Sequence, residues 1–463
     1  MLNTHASNIQ SGDPTSARRL RQSLQATLAW SRQRDYAGYS KHDALNSPLL
    51  HAASLGVPFL RLALTQAVMR APMNLRPLLG VPKGRNPKGI GLFAHAWLDY
   101  AETAESEDEK AAAVAEARRL LAWLVRHPSP QTPATADLQA LFPEDDEARS
   151  HDQAGEPRLH GLGWGYHYPW QDQGFFQPRH FPNRVVTSWI AFAFLRAAET
   201  TGEDRYRRVC SEIVAFLLEN PRALHESEDQ LCLSYVPLDE IEWAVMDVSA
   251  LVAAVLARCT AQGDVAGQRT SALRAQARRL MAFVVDKQTE YGAWFYTWPA
   301  ADSHIRHDNY HTGIVLDCLA DYMDFTGDHE WEESYRRGLD YYRDNLFMPD
   351  GAPRWMNDRT WPHDIHGAAA GILAFSRAAA RGGAAAEENV RRADLVLDWT
   401  LRNLHDPRGF FYYRKTRLGV RRLCLMRWCN AWMCRAMAQR LRTRASQSPP
   451  IAGLTDQRIE HIR

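Results

Sequence analysis

YGAWFYTWPAADSHIRHDNYHTGIVLDCLADYMD, residues 291–324, joins an aromatic turn, a polar cluster and an apolar run. The turn is Gly292-Ala293-Trp294-Phe295-Tyr296. The cluster is His304, Arg306, His307, Asp308, Asn309, Tyr310 and His311. The run of Ile314, Val315, Leu316, Leu319, Tyr322 and Met323 predicts a buried helix beginning near residue 312. Thr326-Gly327-Asp328 closes it: glycine suits the left-handed position after a helix, and the acid suits the cap of the next one.

The same punctuation recurs along the chain. Gly202, Gly263, Gly327 and Gly382 are about sixty residues apart, the length of a helical hairpin plus a loop. The aromatic turn recurs as Gly163-Trp164-Gly165-Tyr166 and Gly409-Phe410-Phe411-Tyr412-Tyr413, with a looser version at Gly351-Ala352-Pro353-Arg354-Trp355. Helices that follow such loops are expected near 89–104, 185–199, 241–261, 312–325, 365–380 and 421–441. Partner helices are expected near 108–126, 203–219, 267–288, 329–346 and 388–404, and a helix over 17–34 supplies the sixth partner. The fold class is therefore all-α, an (α/α)6 toroid of helical hairpins. The first set is rich in Ala and Gly, as in Gly367-Ala368-Ala369-Ala370-Gly371, and can crowd the ring axis; the second set carries the charge. One toroid domain is expected over 17–444, after a disordered N-terminus, 1–16, and before a tail, 445–463. A Pro-rich insert over 127–158 reads as a lid or a disordered insert.

Composition narrows the partners. The 463 residues carry a formal net charge of +1, which exerts no general pull on nucleic acid, and no recognisable nucleic-acid module is present. No uncharged apolar run is long enough to span a bilayer. Residues 49–69, apolar but interrupted by Pro58 and Arg61, read as a buried helix or as one that docks on a membrane surface, so membrane contact is at most peripheral. Residues 1–20 lack the apolar core of a signal peptide. The seven cysteines are odd in number and fall mostly on apolar faces, which points to reduced thiols and the cytoplasm. Cys424, Cys429 and Cys434 are five apart, unlike a zinc-binding pair of close cysteines, and neither a metal nor another cofactor is expected.

In such a ring the loops before the inner helices converge at one end. They bring together aromatic planes and hydrogen-bonding side chains, a combination suited to sugar rings. The expected substrate-binding residues are Trp164, Tyr166, His167, Trp170, Asn183, Trp294, Tyr296, Arg306, Asn309, Trp361, His363, His366 and Arg427. The loop over 34–50, with Tyr36, Tyr39, Lys41, His42 and Asp43, reads as capping groups or as a wall of the site. Residues 408–444 contain eleven Arg or Lys and no acid, which favours an anionic sugar: a uronic acid, a phosphorylated sugar or a lipid-linked glycan. Proton abstraction beside a uronate carboxylate needs that carboxylate neutralised and a Tyr or His as base. Tyr310, His311, His307 and Asp308 are the catalytic candidates, with nearby cations lowering the pKa of a tyrosine. The outcome would be epimerisation or elimination. Hydrolysis is the alternative and needs two opposed carboxyl groups. Asp172, Asp239, Glu240, Asp302, Asp308 and Asp364 are available, and no pair stands out. A third reading is a non-catalytic glycan-binding or scaffold protein.

His307-Asp308-Asn309-Tyr310-His311-Thr312 before an apolar helix resembles a helix-opening segment of glucuronyl epimerases of the heparan and heparosan type. That resemblance implies Tyr310 as a base and His311 and Arg306 as carboxylate binders. The β-rich domain of those epimerases is not apparent in this sequence. The repeated hairpins, over most of 85–441, resemble the six-hairpin toroid glycosidases, polysaccharide lyases and sugar epimerases. DYAGYSKHDALNSPLL at 35–50, APMNLRPLLGVPKGRNPKG at 71–89 and GWGYHYPWQ at 163–171 resemble uncharacterised bacterial proteins of polysaccharide biosynthesis. His366-Gly367-Ala368-Ala369-Ala370-Gly371 faintly resembles lanthionine cyclases, whose paired zinc-binding Cys-His motifs are missing here.

Overall fold

The computed structural model describes residues 14–143, 159–173, 175–220, 223–237, 242–261, 263 and 270–447. Most of them are helical. The chain opens with α1 (Pro14–Arg32), two short helices, α2 (Pro48–Ala53) and α3 (Pro58–Arg70), and the first hairpin, α4 (Pro87–Ala101) and α5 (Glu107–Arg126). A single short helix, α6 (Ala136–Ala140), lies within the Pro-rich insert, of which 144–158 lie outside the described residues. The remaining hairpins are α7 (Arg184–Thr201) with α8 (Asp204–Glu219), α9 (Met246–Thr260) with α10 (Thr270–Asp286), α11 (Asn309–Thr326) with α12 (Glu332–Asn345), and α13 (Ile365–Ala380) with α14 (Ala386–Asn403). A wide turn at Met426–Ala431 leads into α15 (Trp432–Gln447).

Six helices close an inner ring. α4 packs on α7, α7 on α9, α9 on α11, α11 on α13, α13 on α15, and α15 returns to α4. α5, α8, α10, α12 and α14 flank the first five, and α1 packs on α15, so the N-terminal helix does complete the sixth pair. The inner helices are mostly buried: each residue of α9 from Met246 to Thr260 is buried. Small residues make this crowding possible. A Cβ on Gly371 would sit 2.5 Å from the Phe347 ring, and one on Gly313 would sit 2.6 Å from the Tyr342 hydroxyl. The outer helices bury one stripe only; α8 turns in Tyr206, Val209, Cys210, Ile213, Val214, Phe216 and Leu217, a helical spacing.

Consecutive hairpins are joined by a repeated glycine turn. Gly161, Gly292, Gly351 and Gly409 all have φ between 68° and 93°. A Cβ on each would fall 2.3–2.8 Å from a backbone carbonyl oxygen of an outer helix: Glu212, Arg337, Leu395 and Ala26 respectively. Only glycine permits both the left-handed backbone and that approach. In the first repeat this position belongs to Gly161, not to Gly163 as the sequence alignment of the turns suggests.

Several boundaries move. The first helix begins at Pro14 rather than at residue 17, and α15 runs to Gln447, past the expected end at 444, while residues 1–13 and 448–463 of the expected disordered terminus and tail lie outside the described residues. The helix expected over 421–441 is displaced, because residues 419–421 form a hairpin strand with 414–416. The helix expected from 312 starts at Asn309, where the Asp308 side chain caps it by accepting the His311 N–H. Tyr310 and His311 therefore belong to the first turn of an inner helix, not to the loop before it.

At the far end from these first turns, buried ion pairs link the inner helices. Asp99 of α4 pairs with Arg196 of α7 at 2.8 Å and with Arg435 of α15 at 2.9 Å. Glu199 of α7 pairs with Arg258 of α9 at 2.7 Å. Asp321 of α11 pairs with Arg258 at 3.9 Å and with Arg377 of α13 at 2.6 Å. Every helix of the inner ring contributes a charge to this network.

Candidate functional site

The first turns of the inner helices meet at the opposite end of the axis. His311, in the first turn of α11, places Nδ1 2.7 Å from Asp308 Oδ2. Its ring lies 4.4 Å from Tyr296 and 4.0 Å from Tyr310, centroid to centroid. Tyr310 stacks on His366 of α13 at 4.6 Å and meets the edge of Trp428 at 5.5 Å. Trp428 donates its indole N–H to Asp364 Oδ1 at 2.7 Å. Asp364 is also the N-cap of α13 and accepts the His366 N–H. A second aromatic wall comes from residues 166–175: the Tyr166 and Tyr235 hydroxyls are 3.0 Å apart, and Trp170 packs against both rings.

Two cations complete the walls. Lys41 Nζ sits 3.8 Å above the Trp428 ring. It is held there by a clamp: Arg76 forms a buried ion pair with Asp43 at 2.6 Å and donates to the Ser40 and Lys41 carbonyls. The Arg427 guanidinium lies 5.4 Å from the Tyr166 ring.

Electrostatics distinguish the groups. Burial works against a charged His311, yet Asp308, and behind it Asp247, outweigh that and raise the imidazole above its ordinary value. Burial raises Tyr310 well above the ordinary phenol range, and Asp308, Tyr296 and Asp364 push the same way. The lowered tyrosine pKa expected from the sequence is not found: burial and carboxylates, not cations, dominate around this hydroxyl. Burial lowers Lys41 to about 8 against the pull of Asp364. It raises Asp172, Asp247 and Asp364. Asp247 Oδ1, Asp364 Oδ2 and both ring nitrogens of His366 are buried and hydrogen-bonded to no described residue.

Of the residues singled out from the sequence, the structure gathers Tyr310, His311, Asp308, Tyr296, His366, Tyr166, Trp170 and Arg427 at this end of the ring. His167 stands behind Tyr168, buried and held to about 3 by burial and neighbouring cations. Others serve the scaffold. Trp164 and Trp294 point outward and donate their indole N–H to the Leu124 and Val284 carbonyls of outer helices. Asn183 caps α7. Asn309 bridges the Leu346 carbonyl and the Tyr342 hydroxyl. His363 bonds the Pro353 carbonyl and packs on Trp399 of α14, with Trp361 against its other face. His307 and Arg306 face away from the axis, into an outer cleft of about 640 Å³ shared with Tyr291, Phe295 and Tyr341. Arg306 is thus not beside His311 as a carboxylate binder.

Five of the eleven cations over 408–444 are taken up by ion pairs within the protein. Arg408 pairs with Asp406, Arg435 and Arg442 with Asp99, and Arg440 and Arg444 with Asp394. Sequence reasoning passed over Asp247 and Lys88. Each is the one charged residue in the first turn of a helix whose middle is apolar, and that placement is a signal. Asp239 and Glu240 lie outside the described residues. Among the described residues no group of three or more His, Cys, Asp or Glu is placed to hold a metal ion, and no helix is long and apolar enough to cross a membrane.

No family model and no curated protein matches the chain in sequence. Solved structures match in fold. A cellobiose 2-epimerase from Bacillus thermoamylovorans is 10% identical with a TM-score of 0.55, over 78% of this chain and 90% of that one. An unsaturated glucuronyl hydrolase specific for heparin is 10% identical with a TM-score of 0.55, over 92% and 97%. A GH76 α-mannanase from Bacteroides thetaiotaomicron is 12% identical with a TM-score of 0.51, over 78% and 86%. At such identities the likeness establishes the architecture alone: this chain folds as an (α/α)6 toroid.

Proposed function

We propose that this protein is a carbohydrate-active enzyme that removes a proton from a sugar carbon, with His311 as the base and Asp308 orienting it. The observation that carries the reading is the His311–Asp308 pair at 2.7 Å, set among aromatic rings at the end of the ring where the inner helices begin. With Nδ1 turned to Asp308, Nε2 is the atom available to substrate. Tyr310, kept neutral, donates a proton or a hydrogen bond to the developing oxyanion. Trp170 and Tyr296, both half-buried, offer flat faces to the C–H side of a sugar ring, while buried Trp428 carries Lys41 on its face. Lys41 and Arg427 supply positive charge on the same walls, which favours an anionic sugar. Proton return on the other face gives an epimer; loss of a leaving group gives elimination. Proteins of similar fold include a cellobiose 2-epimerase and an unsaturated glucuronyl hydrolase, which supports a sugar as the substrate.

A second reading is hydrolysis. Asp172 and Asp247, both raised by burial and both acting on Tyr296, are the carboxyl groups that favour it. Incubation of the enzyme with neutral and uronate oligosaccharides in deuterated water separates the two. Deuterium in the recovered sugar ring, or a new near-ultraviolet absorbance from an unsaturated uronate, supports proton abstraction. Release of reducing ends without either signal replaces it with hydrolysis.

A further inference from the structure

We propose that the lobe formed by α2, α3 and the loop after them docks on an anionic lipid bilayer. A helix that is apolar all round is ordinarily buried. Here α2 buries none of its residues, and α3 buries only Thr65 and Val68. Leu49, Leu55, Phe59, Met73 and Leu78 are between 66% and 79% exposed, far more than scattered surface leucines require. The N-cap Ser47 hydroxyl donates to the Leu79 carbonyl, which folds the loop back against α2 and gathers these side chains on one lobe.

A second apolar tip lies beside them. The hairpin of Arg414–Thr416 and Gly419–Arg421 carries Leu418 at its turn, 100% exposed. Arg421 reaches the Met69 carbonyl at the end of α3, which fixes the hairpin on the same flank.

Charge selects the occupant. Residues 44–98 contain six Lys or Arg and no Asp or Glu, and residues 407–447 contain no acid either. Arg70 at the end of α3, Lys83 in the loop after it, and Arg417 and Arg422 in the hairpin segment are all exposed. Apolar groups accompanied by cations match a bilayer interface with anionic headgroups, which takes the former into its acyl boundary and attracts the latter. A second copy of this chain would bring the same cations against each other. The lobe also adjoins the candidate site. The Arg61 guanidinium lies 3.8 Å over the Phe176 ring, and Asn46 donates to the His167 carbonyl, so a bound bilayer would lie beside the wall that carries Trp170.

The test is co-sedimentation of the full chain with vesicles of phosphatidylcholine alone and of phosphatidylcholine and phosphatidylglycerol in equal parts. Binding is expected to the second kind, reduced by added salt. A triple variant, Leu55→Ser with Phe59→Ser and Leu418→Ser, is expected to lower the bound fraction about tenfold. A second, Arg70→Ser with Lys83→Ser and Arg417→Ser, is expected to abolish the preference for the anionic vesicles. All six side chains are exposed, so both variants should melt as the parent does. Absence of binding to either vesicle, or binding that neither variant changes, overturns the proposal. So does a dimer in light scattering that Phe59→Ser dissociates while vesicles stay unbound, which would assign the face to a second copy.

Discussion

His311 Nδ1 stands 2.7 Å from one oxygen of Asp308, while the other oxygen accepts the His311 backbone N–H at 3.0 Å. One carboxylate thus caps α11 and aims the ring. These two roles separate in the variant Asp308→Asn. Asparagine caps a helix about as well as aspartate, so stability should change little. The imidazole loses the charge that raises it, so the acid limb of the rate profile should move to lower pH. The rate of solvent-deuterium incorporation should fall about 10²–10⁴-fold, the usual worth of a positioned base. His311→Asn should lose as much with no residual pH limb. Full activity in both variants would remove the dyad from the mechanism.

Lys41 sets the other side of the profile. The base works deprotonated, so the rate should rise with pH through a value above the ordinary 6.5 or so of histidine. A cation that holds an anionic substrate works protonated. Lys41, lowered to about 8, should therefore begin to fail above that pH, giving a bell-shaped kcat/KM. Lys41→Arg keeps its charge throughout and should flatten the alkaline limb. Lys41→Met should raise KM for a charged sugar more than for a neutral one. An alkaline limb unchanged in Lys41→Arg assigns it to another group.

The fold was legible because its determinants repeat. Gly202 and Gly327 take the left-handed position after α7 and α11, at φ 70° and 72°, as the spacing of Thr-Gly-acid triplets implied. The small-residue run in α13 is buried, with Gly371 against the Phe347 ring and Gly367 against Asn309. The site was legible in part, since His311, Tyr310 and Tyr296 carry the polar cluster and the aromatic turn directly into it. The residues whose side chains lie away from the site share one physical cause. Sequence gives a residue's position along a turn but not the direction in which its side chain leaves. Trp294 and Tyr296 are two residues apart, a spacing that would put both side chains on one face of a regular strand, but the chain bends here and is not a strand. Tyr296 meets His311 and Trp294 meets the outer helix. Lys41 was harder to place because nothing local fixes it there; the Arg76–Asp43 clamp that does spans 33 residues.

That division has a measurable consequence for the tryptophans. Trp294 is buried between α10 and α12, its ring against Gly338 and its N–H on the Val284 carbonyl. Trp294→Ala should cost about 3–5 kcal/mol of stability, as large-to-small core changes do. KM of the enzyme that remains folded should not change. Trp428→Phe, which keeps a ring but drops the bond to Asp364, should act in the reverse sense, on KM with a smaller loss in denaturant midpoint. If Trp294→Ala raises KM at unchanged stability, that ring belongs to the substrate site.

Asp99 lies at the other end of the ring, fully buried and shared by Arg196 and Arg435. Burial alone would raise its carboxyl, but Arg435, Arg442, His95 and Arg196 outweigh it and hold the group well below the usual carboxylate range. A depressed folded pKa contributes stability above the unfolded value, about 3.9, and that stability drains away as the pH falls below it. Asp99→Asn removes the contribution at every pH and strands two guanidinium groups away from water. The loss expected at neutral pH is about 3–5 kcal/mol, the cost of breaking a buried pair from one side. The variant should also show a shallower decline in denaturant midpoint below about pH 4 than the parent. The pairs join α4 to both α7 and α15, where the ring closes, so the variant should unfold without a separate early transition. A denaturant midpoint equal to the parent's at pH 7 would mean that the ring closes on its apolar contacts alone.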